Sequence, residues 1–390
     1  MIYSRTLIII LGCLTAFAPL SVDMYLPSMP LLSKIFEVNS SSIQLTLSVF
    51  LFGFAIGQIF YGPLSDKYGR KPIIIIGIII YIIASIGAAL ATDINIIIIM
   101  RFLQALGASS GPVLARTMVV DIYKKDQAAK ILSILFLIMG SAPMIAPFIG
   151  TQLLYFFGWR SIFVFLTAFG ILCLYLSIFK IPETHPETKR TNKNLIILIF
   201  NYSIFFRNKR FIGFVILNSF SFASMFAYIT SAPFIFIEFY KFSEQNFSII
   251  FAINVLALML GAIINTYLVK KVGSSKMLFF GSVHSLIFGT ILFTIKIFNI
   301  YDEYIIILFL FLFMPSITIV GANSIAQGLD IFRNSKGSAS SFMGSIQFLI
   351  GAFAGILVAH INIDILTSLC LIIFSCSCII FLSNILLTGD

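Results

Sequence analysis

Residues 62–72 read G-P-L-S-D-K-Y-G-R-K-P, and they join two long apolar runs at about 42–63 and 71–91. Two glycines, two prolines, one aspartate and three basic residues within eleven positions describe a short polar turn between hydrophobic segments. Each flanking run has about the 20 residues that carry a helix across a ~30 Å hydrocarbon core. Working outward, further runs lie at about 6–28, 95–117, 129–157, 160–181, 210–237, 246–268, 275–296, 304–327, 338–360 and 365–387. Lipid has no water to satisfy backbone groups, so runs of this length must be helices. A membrane barrel would alternate in segments of roughly ten residues, and none is found. The sequence therefore reads as an all-α membrane protein with twelve transmembrane helices.

Composition points the same way. Of the 390 residues, 59% are hydrophobic and only 10% charged, and the mean hydropathy is +1.07. A soluble domain carries roughly a quarter charged residues. The net charge of +10 invites a nucleic-acid reading in a soluble protein. Here the basic residues sit in short loops, where orientation needs them, so no nucleic-acid partner is expected. Nineteen of the 25 Lys and Arg fall in one set of loops and four in the other. That asymmetry, with the even number of spans, puts both termini in the cytoplasm. The first run is longer than a signal-peptide core and lacks a small-residue cleavage site, so it is expected to stay as the first span. Five cysteines lie inside apolar runs, and His185, His284 and His360 share no metal-ligand spacing with them; no metal and no cofactor is expected.

The longest connection, 182–209, is polar at its start and carries five of the 25 basic residues. It divides the chain into a first half, 1–181, and a second, 210–390, with six helices each, as in one large class of transporters. Its apolar stretch 195–206 is too short to span and is expected at the interface. An internal repeat supports the halves. Residues 268–278, L-V-K-K-V-G-S-S-K-M-L, occupy the place after helix eight that 62–72 occupy after helix two, again with a glycine after basic residues.

The spacing of Gly62, Asp66, Gly69, Arg70 and Lys71 resembles the signature loop of the major facilitator superfamily. The glycines fit tight turns and close helix approach. The resemblance implies that this loop latches the two halves, with Asp66 received by the N-terminus of helix eleven near 337–341, where free N–H groups favour an anion. In the fourth span R-F-L-Q-A-L-G-A-S-S-G-P (101–112) is similar to a second motif of the superfamily, with Ala105 in place of the usual glycine. In the fifth, G-S-A-P-M-I-A-P-F-I-G (140–150) is similar to a glycine- and proline-rich element of exporting members, without its usual ending. Pro143, Pro147 and Gly150 make that helix a candidate hinge. D-M-Y-L-P-S-M-P (23–30), the stretch 44–58, G-P-V-L-A-R (111–116) and G-S-A-S-S-F-M-G-S-I-Q (337–347) look like the bicyclomycin-resistance/CflA group of drug–proton antiporters.

Asp23 is the one carboxylate well inside an apolar run. A carboxylate there is costly and by default functional, and desolvation penalises its charged form, which suits a proton carrier. Arg101 matches it in depth to roughly 2 Å, at about 1.5 Å per residue, so the two are expected to meet. A fixed structural ion pair is the competing reading. Related antiporters carry another acid about two turns deeper, where this chain has Thr15 and Ala16. Tyr25, Gln44 and Gln104 in the motif stretches, and Phe222, Phe226, Tyr228, Asn323 and Gln347 in the second half, are the candidate substrate contacts. An ATP-driven pump would need a phosphate-binding loop, and no G-x-x-x-x-G-K-[ST] occurs; no enzyme activity is expected. The resemblance implies a monomeric, proton-driven antiporter of the bacterial inner membrane that exports small, mostly hydrophobic compounds of the bicyclomycin or chloramphenicol kind. A transporter of one native metabolite, such as an amino acid or short peptide, is the alternative.

Overall fold

The computed structural model describes residues 5–123, 125–190, 201–332, 336–361 and 364–388. Among them every regular element is helical. Eleven helices are long and apolar enough to cross a membrane, and one bent pair makes a twelfth span. The chain divides by its internal packing into two compact units, Met1–Phe36 with Val49–Phe200, and Glu37–Ser48 with Asn201–Asp390. The start of the second helix, expected in the first half, thus groups with the second unit.

In the first unit α1 is the bent pair, Thr6–Thr15 and Phe17–Ile35, with a 42° change of direction. Three prolines account for its interruptions. Pro19, Pro27 and Pro30 lack the N–H that residues 15, 23 and 26 need four positions later. The helical segments end at Thr15 and at Asp23, and a tight turn, Leu26–Ser28, follows. Helix α2 (Ser40–Tyr68) meets α3 (Arg70–Ala89) through the single residue Gly69. Its φ of 100° and ψ of 156° lie in a region open essentially to glycine alone. The sequence reading placed 62–72 in a turn; the structure keeps 62–68 helical, through Pro63, and confines the turn to Gly69. A Cβ on Gly62 would meet nothing within 4 Å, so that glycine serves neither a turn nor a close approach. Asp93 caps α4 (Ile94–Ile122), accepting from the N–H groups of Asn95 and Ile96. Helices α3 and α4 touch along their backbones. A Cβ on Gly107 would lie 2.5 Å from the Gly77 carbonyl and 2.5 Å from the Tyr81 N. Helix α5 (Lys130–Phe157) runs unbroken through Pro143 and Pro147, and Gly150 lets it pass the Met24 carbonyl at the interruption of α1. Helix α6 (Arg160–Lys180) completes the unit.

The second unit holds α7 (Lys209–Phe239), α8 (Glu244–Val272), α9 (Ser274–Ile297), α10 (Glu303–Ile331), α11 (Gly337–His360) and α12 (Ile365–Leu387). Side chains of Asn208, Ser243, Asp302 and Asp364 cap four of them. One end is closed by a phenylalanine cluster of Phe205, Phe211, Phe214 and Phe342 around Leu278 and Met343. The segment Asn201–Arg207 is therefore docked through Phe205 rather than free; the rest of the apolar stretch expected at the interface lies outside the described residues. The internal repeat has a backbone counterpart. Gly273 joins α8 to α9 with φ 85° and ψ 158°, nearly the angles of Gly69.

Candidate functional site

The first unit buries a cation. Arg101, on α4, has no solvent exposure. Its Nη1 donates to the Ser21 carbonyl of α1 and to Oε1 of Gln104, both at 2.8 Å. Its guanidinium carbon lies 4.4 Å from the Phe50 ring centroid and 4.9 Å from that of Tyr25. Gln104 extends the chain, with Nε2 donating to Ser85 Oγ at 2.8 Å, and Ser85 donating to the Tyr81 carbonyl. Ser21 Oγ gives its one hydrogen to the Phe17 carbonyl at 2.6 Å, so the Tyr81 hydroxyl is the donor in the 2.8 Å bond between them. Three helices are tied by this network, and its polar members are all buried.

Removing a guanidinium from water costs several kcal/mol after relaxation. Two hydrogen bonds and two ring faces, each face contributing up to about 2 kcal/mol when desolvated, offset part of that. Nε and Nη2 remain without a hydrogen-bond partner among the described residues. Asp23 is 3% exposed, and among the described residues no hydrogen bond or ion pair reaches its carboxylate. The expected Asp23–Arg101 pair is therefore not formed. Depth placed Arg101 correctly, since it binds α1 two residues before Asp23. The Ser21 carbonyl, however, takes the nitrogen that the carboxylate was expected to hold. What results is a buried cation with two open donors and a buried acid whose carboxylate has no partner, both among the described residues.

The other predicted residues are distributed as follows. Tyr25 and Gln104 belong to the Arg101 network. Gln44 is buried near the start of α2, and its Oε1 has no partner among the described residues. Phe222 packs on Phe226 and Phe348, with centroids 4.7 and 4.8 Å away. Gln347 Oε1 accepts from Asn218 Nδ2 at 2.8 Å, tying α11 to α7. Tyr228 accepts from Asn254 Nδ2 at 3.0 Å and stacks on Phe251. Asn323 donates to Asn265 Oδ1 at 2.6 Å and accepts from Ser274 at 2.8 Å. Its amide is thus occupied in binding α8, α9 and α10 together.

At the Gly69 turn, Arg70 joins Asp66 and Ser65 through Nη1, and Asp121 through Nε at 3.0 Å. The carboxylate of Glu183 accepts from the N–H groups of Arg70 and Lys71 at 3.0 and 3.2 Å. An acid from the connection after α6 thus caps the N-terminus of α3, where free N–H groups favour negative charge. Lys71 Nζ donates to the Ile178 carbonyl. Asp121, Glu183, Tyr81 and Ser85 were missed by sequence reasoning. The spacing of Tyr81 and Ser85 was a usable signal, because one turn separates them in a run otherwise apolar after its first residues.

A family model described as Major Facilitator Superfamily matches residues 11–356. The Haemophilus influenzae protein named bicyclomycin resistance protein homolog is 32% identical over 385 residues, 98% of this chain and 96% of that one. The Citrobacter koseri protein named multidrug resistance protein MdtL is 27% identical, covering 94% and 92%. The E. coli xylose transporter XylE, solved partially occluded and inward open, is similar with a TM-score of 0.74 and 15% identity, covering 99% and 97%. The last likeness bears on fold alone.

Proposed function

The chain belongs to the Major Facilitator Superfamily, and from that premise we propose that this membrane transporter is a proton-coupled antiporter exporting small, mostly hydrophobic compounds, antibiotics among them. The names of its relatives support the cargo class. One observation carries the coupling: a buried carboxylate, Asp23, without a partner among the described residues, two residues along α1 from the carbonyl that holds buried Arg101.

Asp23 carries the proton. With the proton on, the carboxyl is neutral and tolerates its buried, unpartnered setting. With the proton off, the charge requires compensation of several kcal/mol, and the open Nε and Nη2 of Arg101 supply it. Each exchange therefore switches α1 between two relations to α4, at the interruption that Pro19 and Pro27 impose. Substrate contacts are assigned to Gln44, Phe222, Phe226 and Gln347, while Tyr25 and Gln104, fully buried against Arg101, act by positioning it. Tyr228 and Asn323 act through packing. The Asp66–Arg70–Asp121 cluster and the Glu183 cap hold one end of α2 and α3 fixed in one state, and α5 flexes at Pro143, Pro147 and Gly150. The transporter works as a monomer in the bacterial inner membrane with both termini cytoplasmic; the basic bias of one set of loops supports that orientation.

The test is efflux of a labelled hydrophobic drug from energised vesicles, with and without an uncoupler. Efflux is expected to stop with the uncoupler and in Asp23→Asn. Uncoupler-insensitive efflux by wild type and variant would sink the antiporter reading. Loss in Arg101→Ala alone would reduce Asp23 to a structural residue.

A further inference from the structure

The first unit carries a groove of about 630 Å³ between α2 and α3, lined by Gly57, Phe60, Leu64 and Tyr68 on one side and Ile76 and Ile80 on the other, with Leu106 of α4 also in its wall. Its volume falls within the roughly 300–1,000 Å³ of small-ligand sites. Its walls are apolar, and Phe60, Tyr68 and Ile76 are each more than two-fifths exposed. From Gly57 to Tyr68 is eleven residues of helix, or about 16 Å at 1.5 Å per residue. That is about half of the ~30 Å hydrocarbon core, the depth of one leaflet. The groove ends at Tyr68, where α2 stops and the charged turn into α3 begins.

At that end stands an uncommitted cation. Lys67 Nζ lies 5.2 Å from the ring centroid of Tyr68, the last groove residue of α2. Among the described residues no carboxylate lies within ion-pair distance of it. The neighbouring cations are occupied: Arg70 by Asp66 and Asp121, Lys71 by the Ile178 carbonyl. Tyrosine beside lysine at the end of a span is the pairing that anchors helices at the headgroup level.

We propose that this groove is a binding site for one anionic phospholipid, with an acyl chain along α2 and α3 and the phosphate at Lys67. The chain fills a slot that neither helix closes. The phosphate supplies the negative charge that Lys67 lacks. A single lysine near the surface favours an anionic over a zwitterionic headgroup by roughly five-fold.

Native mass spectrometry of the full chain in detergent, with equal phosphatidylglycerol and phosphatidylcholine, tests this. One phosphatidylglycerol is expected to be retained at roughly five times the level of phosphatidylcholine. Lys67→Gln is expected to equalise the two. Ile76→Trp, which fills the groove from an already exposed position, is expected to release both. Equal retention by wild type, or a preference unchanged in Lys67→Gln, overturns the proposal. So does occupancy by a hydrophobic drug in place of lipid, or by a second copy of the chain whose contact Ile76→Trp breaks.

Discussion

Replacing Gln104 by Leu keeps side-chain volume and removes both hydrogen bonds of the amide. One, from Arg101 Nη1 at 2.8 Å, has a charged donor; such bonds contribute about 1.5–3 kcal/mol. The other, to Ser85 Oγ at 2.8 Å, is neutral, for about 0.5–1.5 kcal/mol. Together they give a loss of about 2–4.5 kcal/mol, toward the lower end because helices unfolded in a micelle find other partners. The assay is reversible unfolding in mixed micelles, with a cycle on Ser85→Ala. Ser85→Ala is expected to matter less in the Gln104→Leu background than in wild type, since the shared bond is already gone. A loss below about 0.5 kcal/mol in Gln104→Leu, the size of an ordinary surface change, or full additivity with Ser85→Ala, would refute the network as described.

Gly69→Ala and Gly273→Ala both force a side chain into a glycine-only backbone region, at about 1–3 kcal/mol each. Only the first also meets an obstacle, Glu183 Oε2 at 2.6 Å from the added Cβ; unfolding of the two variants is therefore expected to rank Gly69→Ala as the more destabilised. Glu183→Gln keeps the shape of the α3 cap but not its charge, and is expected to lower stability by about 0.3–1 kcal/mol, less at high salt; no salt dependence would count against the cap. Asp364, which caps α12, is pulled in two directions. Burial raises its affinity for a proton, but the Thr367 hydroxyl and N–H and the Lys296 ammonium outweigh it and hold the carboxyl below its ordinary range. A depressed folded value gives stability that is present above the ordinary value of about 3.9 and is lost as pH falls below it. Melting of wild type in detergent is thus expected to drop below about pH 4 more than that of Asp364→Asn.

The spans were legible because twenty apolar residues in lipid have one backbone solution, and the Gly69 turn because opposite requirements meet there. Other features follow from quantities that hydropathy does not carry. The interruption of α1 was written in Pro19, Pro27 and Pro30, yet the run read as one segment because proline does not lower its hydropathy enough to divide it. Depth along two helices brought Arg101 to the right turn of α1. It could not say that the Ser21 carbonyl, and not the Asp23 carboxylate, would take the guanidinium. Asn323 was read as a substrate contact because helix ten flanks the cavity in the superfamily that the chain resembles; its partners Asn265 and Ser274 stand on two other helices, and sequence distance hides them. Glu183 lay in a connection read for its basic residues, where one acid counts for little in a charge tally and decides the cap of α3.

The central claim is that a proton on Asp23 links the gradient to transport. In proteoliposomes, Asp23→Asn is expected to keep exchange of labelled for unlabelled drug at equal pH on both sides and to lose uptake or release driven by an imposed pH difference. Gradient-driven transport at the wild-type rate in Asp23→Asn would contradict it.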